Sequence, residues 1–221
     1  MSVWYAIPSA RQDGGTIPAW SQAGYKVAVF VDPGSTTQAD LILTGEYPGY
    51  ANAVNAMCKE ILTRWPDTEW IVTGGDDITP DPRNPDEIAA ECTEHFGGTF
   101  GIMQPTGDRW AGGSIDRICG SPWMGAEWCR RMYGGNGPLW HGWRHMWVDE
   151  ELQNVAQGLG VLWQRPDLTH EHFHWHRTGE PEPEHLKDKN LTYNSDKPLF
   201  QQRMRDGFPG HEPIQCEQLN Y

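Results

Sequence analysis

The sequence predicts an α/β protein: an open, mostly parallel sheet flanked by helices. Three observations lead there. Short apolar, β-branched runs recur, most clearly residues 26–32 (KVAVFVD), which do not alternate with polar residues and stop at Pro33-Gly34; a strand buried on both faces reads this way. These runs alternate with segments of helical periodicity through the first hundred residues. Candidate chemical groups also fall at or near the ends of the runs, where open α/β sheets bind their ligands.

In chain order, residues 3–7 (VWYAI) read as the first buried strand, closed by Pro8-Ser9, with a polar loop through Gly14-Gly15 after it. The second strand is 26–32. A helix is expected over 49–65, where Val54, Met57, Cys58, Ile61, Leu62 and Trp65 recur at helical spacing before Pro66. Residues 70–73 (WIVT) are a short strand running abruptly into Gly74-Gly75-Asp76-Asp77. A helix over 85–96 stops at Gly97-Gly98, and 100–103 is a further strand. Residues 125–133 are helical up to Gly134-Gly135, and 134–147 is a loop carrying Trp140, Trp143 and Trp147. Leu152, Val155, Ala156 and Leu159 form one stripe of an amphipathic helix over 149–159, capped by Gly160 and followed by a strand at 161–164. From about residue 180 the chain is polar, with one helix expected over 197–206. There are no internal repeats.

With 38% hydrophobic residues the chain can pack a core. A net charge of −13 argues against non-specific binding to a phosphate backbone, yet allows a metal-bound nucleotide, because the cation screens the diphosphate. Twelve Trp and 25 Gly suit loops that shape a pocket for a flat or ring-like ligand, although Trp also fills ordinary cores. Five cysteines without a C-x-x-C pair read as reduced thiols of a cytosolic protein. No signal segment or membrane-length apolar run is present, so the expectation is a cytoplasmic location and no membrane partner.

Four groups carry chemistry. Asp32 closes the second strand, where a carboxylate can accept from a ribose or base; Asp-Pro-Gly-Ser is also plain turn chemistry. Asp76 and Asp77 are adjacent carboxylates that repel unless a cation joins them, and such oxygens bind Mg2+ or Mn2+ together with phosphates; the bland alternative is an exposed acidic loop. Asp149, Glu150 and Glu151 open a helix, where acids complement the dipole; Asp149, three residues before Leu152, is expected on the core side and suits a general base. His170, His172, His174 and His176 alternate, so an extended segment would aim all four to one side as candidate metal ligands. Their spacing is not that of a zinc protease or zinc finger.

Taken in order, these elements resemble the GT-A glycosyltransferases, particularly the family 2-like group. Pro8-Ser9-Ala10-Arg11 stands at the turn after the first strand, VFVDPGS at the nucleoside-holding end of the second, and PGYANAVN at the start of the next helix. WIVTGGDDI stands at the D-x-D metal motif, Val148 to Leu152 at the acidic pair that supplies the base, and VLWQRPDLTHEHFHW at the strand and His that complete the metal site. Two positions depart: Gly75 replaces the first acid of D-x-D, and Val148 the first acid of the catalytic pair. The resemblance implies a GT-A catalytic domain over 1–178 and a polar extension over 179–221. It implies transfer of a sugar from a nucleotide-sugar donor to an acceptor hydroxyl with inversion, using Mn2+ or Mg2+, with Mn2+ suiting an imidazole ligand better. Asp77, with His170 or His172, is then the metal site. Asp149 is the base with Glu150 beside it. Pro8, Ser9, Arg11, Asp32, Asn52 and Asp76 contact substrate on the donor side, and Trp123 and Trp140 shape the acceptor side. In size and build the chain is similar to small phage-encoded transferases, which makes a hydroxymethylated base in DNA one acceptor to consider, in host cytoplasm. The rivals are a sugar-phosphate nucleotidyltransferase, which needs a basic phosphate loop where PSARQDGG stands, and a non-catalytic sugar- or metal-binding module.

Overall fold

The computed structural model describes residues 2–11, 14–182 and 189–211. The elements begin β1 (Trp4–Pro8), α1 (Ile17–Gln22), β2 (Lys26–Val31), β3 (Leu41–Thr44), α2 (Tyr50–Arg64), β4 (Trp70–Val72), β5 (Ile78–Thr79) and α3 (Pro85–Phe96). They continue with β6 (Ile102–Pro105), a 3-10 turn (Gly112–Arg117), β7 (Trp123–Gly125), α4 (Ala126–Gly135), α5 (Val148–Gly158), β8 (Leu162–Arg165), β9 (Glu171–His172), α6 (Trp175–Thr178) and α7 (Lys189–Arg205). Seven strands form one sheet in the order β3-β2-β1-β4-β7-β6-β8. Strand β7 runs antiparallel to both neighbours and the other pairs are parallel. β5 and β9 make a separate antiparallel ribbon. From β1 the chain goes outward to β2 and later returns to β4 on the other side, so the order reverses between β1 and β4, where an open sheet leaves a crevice at its carboxyl end.

The unbroken apolar runs are explained by the two cores they serve. Trp4, Ala6 and Ala28 face a core with Val54, Met57 and Ile61 of α2, Trp128 of α4 and Leu152 of α5. Tyr5, Ile7, Val27 and Val29 face a second core with Trp20 of α1 and Ile88 and Cys92 of α3. Helix α3 matches its expected bounds because its ends are locally encoded. Asn84 accepts from Asp86 N, Pro85 sits in the first turn, and Gly97 (φ 64°) takes the left-handed stop.

Elsewhere tertiary pairing decided. Helix α1 is six residues long, too short to show a period, and falls in what reads as a polar loop. β3 is an edge strand with Ile42 turned to solvent, and β7 is three residues that exist by pairing with β4 and β6. The alternating His segment is extended only over Glu171–His172; His174 instead caps α6, accepting from His176 N. No helix among the described residues is long and apolar enough to cross a membrane.

Helix α7 docks on a buried charge. Glu151 is 1% exposed and accepts from Tyr133 Oη (3.0 Å), Trp143 Nε1 (2.8 Å), Arg203 Nε (2.8 Å) and Arg203 Nη2 (2.6 Å). The Arg203 guanidinium lies 3.6 Å from the centre of the Trp140 ring, and Phe200 stacks on Trp147 at 4.5 Å. Tyr133 (φ 52°) and Trp147 (φ 70°) are left-handed non-glycine residues on either side of this cluster, a strain that the buried bonds hold in place. Breaking a buried pair from one side leaves a charge uncompensated. Arg203→Met is therefore expected to cost about 3–5 kcal/mol in urea unfolding, and adding Glu151→Gln to restore a large part of it. Equal losses for the single and double variants would show that the pair contributes no coupling.

Candidate functional site

The chain leaves β4 through Thr73 into the turn Gly74 to Ile78, at the carboxyl end of the central strands. Every carbonyl of this turn is held from another element. Gly74 O accepts from Tyr50 Oη (3.1 Å), Gly75 O from Tyr5 Oη (2.6 Å) and Asp76 O from Thr16 N (2.9 Å). Asp77 O accepts from Phe173 N (2.8 Å), and Ile78 O from Trp20 Nε1 (2.7 Å) and Thr16 Oγ1 (2.6 Å). Two glycines make the close approach possible. A Cβ at Gly15 (φ 54°) would lie 2.1 Å from Asp76 O, and one at Gly75 would lie 2.5 Å from Asp77 Oδ1. The second clash gives a physical reason for glycine at position 75: a side chain there would displace the Asp77 carboxylate.

The fixed turn sends its two carboxylates apart. Asp76 accepts from Ser9 Oγ (2.6 Å) and Arg11 Nε (3.1 Å) at the end of β1. Asp77 Oδ1 stands 3.2 Å from His172 Nε2, because the β5–β9 register sets Ile78 opposite His172. Each acid thus has its own basic partner, and the expected repulsion is relieved without a shared one. Burial pushes the Asp77 carboxyl up, but the hydrogen bond and charge of His172 and the charge of Arg11 outweigh it and leave the group below its ordinary value.

Asp77 and His172, now 3.2 Å apart as hydrogen-bond partners, are the pair that could hold a divalent cation. With ligands at 2.0–2.1 Å, two ligand atoms at a right angle lie about 3 Å apart, close to the separation seen. Both side chains are partly open, at 22% and 34% exposure. Among the described residues no group of three or more His, Cys, Asp and Glu side chains converges on one point. The chain would thus offer two ligands and leave the rest to phosphate oxygens and water, as Mg2+ sites commonly do.

His170 lies elsewhere. It is 4% exposed, its Nε2 accepts from Trp123 Nε1 (3.4 Å), its ring stands edge-on to Trp20, and burial pushes its pKa down to about 4. Trp123 is fully buried with it. Trp140 lies under Arg203, and Asn52 ties helix α2 to the Trp loop, donating to His141 O (3.1 Å) beside a cleft of about 320 Å3 lined by Tyr47, His141 and Arg144. Asp32 is exposed at the end of β2 while its carbonyl accepts from Ser35 N (3.2 Å), so turn and open carboxylate coexist; Pro8 ends β1 next to Ser9.

Asp149 and Glu150 are half-buried in the first turn of α5. The Asp149 charge acts on the Tyr50 hydroxyl, which holds Gly74 O, so the acids stand near the same end of the sheet. Burial, and then the neighbouring Asp149 carboxylate, push Glu150 up to about 9, which favours its protonated form at neutral pH. Sequence reasoning did not find Tyr5, Thr16, Trp20 or Tyr50. Tyr5 is fully buried and Tyr50 half-buried, and nothing in an apolar strand or a helix start marks a hydroxyl as a clamp.

No family model matches the chain, and no curated protein matches it. Among solved structures it is similar to S. aureus TarS residues 1–349, at 10% identity and a TM-score of 0.53, covering 77% of this chain and 59% of that one. The chain therefore spans about three-fifths of that structure's length. A glycosyltransferase involved in the glycosylation of the major capsid of PBCV-1 matches at 12% identity and TM-score 0.34, over 58% of this chain and 62% of that one. A mutant Drosophila β-1,4-galactosyltransferase 7, in complex with manganese, UDP-Gal and xylobiose, matches at 12% identity and TM-score 0.42, over 87% and 79%. The fold is α/β of the GT-A, nucleotide-diphospho-sugar transferase class. At these identities the likeness is one of fold.

The Glu150 proton makes stability pH-dependent. The folded group, near 9, binds more protons than the unfolded one, near 4.3. Its contribution is thus full below the unfolded value and lost as pH rises through the folded one. Glu150→Gln, a neutral mimic, is expected to be more stable than wild type by about 1–3 kcal/mol at pH 8 and equal to it near pH 4. Urea midpoints across this range check it; a constant difference would show that Glu150 titrates as an ordinary carboxylate.

Proposed function

We propose that the protein is a metal-dependent glycosyltransferase that moves a sugar from a nucleotide-sugar donor to an acceptor hydroxyl with inversion. The observation that carries this is the Asp77–His172 pair, 3.2 Å apart on a turn locked at the carboxyl end of the central strands of a GT-A sheet. Asp77 and His172 would hold Mn2+ or Mg2+, which when bound offsets the charge that develops on a diphosphate leaving group. His170, packed on Trp123, is left out of this assignment.

The chain's own groups do the rest. Ser9 and Arg11 hold Asp76 and so define the β1 side of the crevice. Asp32, exposed at the end of β2, is placed to accept from nucleoside hydroxyls. Asp149 takes the proton of the acceptor hydroxyl; the oxygen attacks the anomeric carbon opposite the departing diphosphate, and the configuration inverts. Glu150, protonated beside it, keeps this acidic pair at a single negative charge. Two readings weaken against the geometry. A nucleotidyltransferase needs a free basic loop after its first strand, whereas Arg11 is committed to Asp76. A DNA acceptor carrying a hydroxymethylated base would approach a chain of net charge −13, the wrong sign for its phosphates.

Incubation with a panel of nucleotide-sugars and Mn2+ is expected to release nucleoside diphosphate, and Asp77→Ala to abolish the release; full activity in excess chelator would overturn the metal assignment. Asp149→Asn is expected to fold and bind donor normally while turnover falls by about 10²–10⁴-fold, with Glu150→Gln far milder. If Glu150→Gln loses turnover and Asp149→Asn keeps it, the base is Glu150; if neither changes, the acidic turn serves the helix alone.

A further inference from the structure

Six large apolar side chains are exposed among the described residues, and two of them, Trp110 (38%) and Phe173 (39%), stand beside the Asp77–His172 pair. Phe173 follows His172 and donates its N–H to Asp77 O. Trp110 stands edge-on to His172 (ring centres 6.0 Å, 88°) and close to parallel with His174 (5.5 Å, 22°). Two exposed aromatic side chains therefore flank the imidazole that meets Asp77.

The segment that carries Trp110 is built rather than loose. Thr106 N donates to Arg165 O (2.9 Å) and Gly107 N to Leu168 O (2.8 Å). Asp108 Oδ2 accepts from His172 N (2.8 Å) and Arg177 Nη1 (2.8 Å), tying the loop after β6 to β9 itself. The same bonds settle the charge of the surface. Arg177 is shared between Asp108 and Glu171, and Arg109 is paired with Asp116. The guanidinium groups here are thus neutralised by the chain's own carboxylates, and the surface beside them is aromatic. A phosphorylated ligand would need cations to spare. A neutral pyranose needs a flat apolar face for its C–H bonds, and the exposed Trp110 ring offers one.

We propose that Trp110, flanked by His172 and His174, is a subsite that stacks a neutral sugar ring, and that the acceptor is accordingly a saccharide hydroxyl. The word acceptor rests on the transferase reading above; the binding of a sugar ring to Trp110 does not.

The test is indole N–H spectroscopy on the full chain, with the Trp110 resonance assigned by its disappearance in Trp110→Phe. Maltose, cellobiose and diacetylchitobiose are titrated without donor or metal, and a single-stranded oligothymidylate is titrated separately. At least one disaccharide is expected to shift the Trp110 resonance. Trp110→Ala should bind that sugar at least about tenfold more weakly, while Trp110→Phe retains binding. No shift with any disaccharide, or a shift with the oligonucleotide alone, overturns the proposal. Nucleoside diphosphate release from nucleotide-sugars is measured in parallel, without acceptor. Sugar binding at Trp110 without release in the wild type would sink the transferase reading and leave the sugar subsite standing; release without sugar binding would do the reverse.

Discussion

Five consecutive backbone carbonyls, from Gly74 to Ile78, hang on donors from β1, the start and body of α1, the first residue of α2 and the residue after β9. Buried peptide groups must be paired, and the turn's own bond, from Ile78 N to Gly75 O (3.2 Å), reaches only one of these five carbonyls. Here the pairing comes almost wholly from side chains and backbone far away in sequence, so the turn is as rigid as the core that supplies its donors. Tyr5 illustrates the coupling: its ring stacks on Trp20 at 3.6 Å inside the core, and its hydroxyl reaches Gly75. What this rigidity achieves is direction. Asp76 and Asp77 leave the turn on divergent paths, one to Ser9 and Arg11, the other to His172. A site whose groups are placed before a ligand arrives loses less on binding and reaction.

The second dependence is on a ribbon of two residues per strand. Pairing of Ile78 with His172 sets the imidazole beside Asp77 and, through Asp108, sets the Trp110 loop beside the imidazole. Phase matters more than composition in such a ribbon. His170 and His172 differ by two residues and in a long strand would share one side. The strand begins only at Glu171, and His170 before it serves as a core residue against Trp123 and Trp20.

Three consecutive acids at the head of α5 show how one chemistry is divided by environment. Glu151 is enclosed and neutralised by Arg203, Glu150 is driven toward its protonated form by burial and the neighbouring Asp149 carboxylate, and Asp149 stays half-buried at the helix start. Each step along a helix turns the side chain by about 100°, enough to move a carboxylate from solvent to core. The tail helix enters through the same division, since Arg203 is the partner that makes a buried Glu151 tolerable. Asp149 therefore sits two residues from Glu151, which anchors helix α7 through Arg203.

Local pattern determined a good part of this protein. The unbroken apolar run of β2, the capped and glycine-stopped α3, the stripe of α5, and two aspartates directly after a buried strand are all written in contiguous residues. The α/β class and the placing of the acidic turn at a strand end follow from them, because periodicity and capping act over one or two turns of chain. Tertiary structure alone decided which histidine meets Asp77, which of three acids is buried, that Trp123 and Trp140 are covered, and that Trp110 is not. Each of those outcomes depends on strand register or on side chains brought from distant segments, and neither leaves a local signal in the residues it governs.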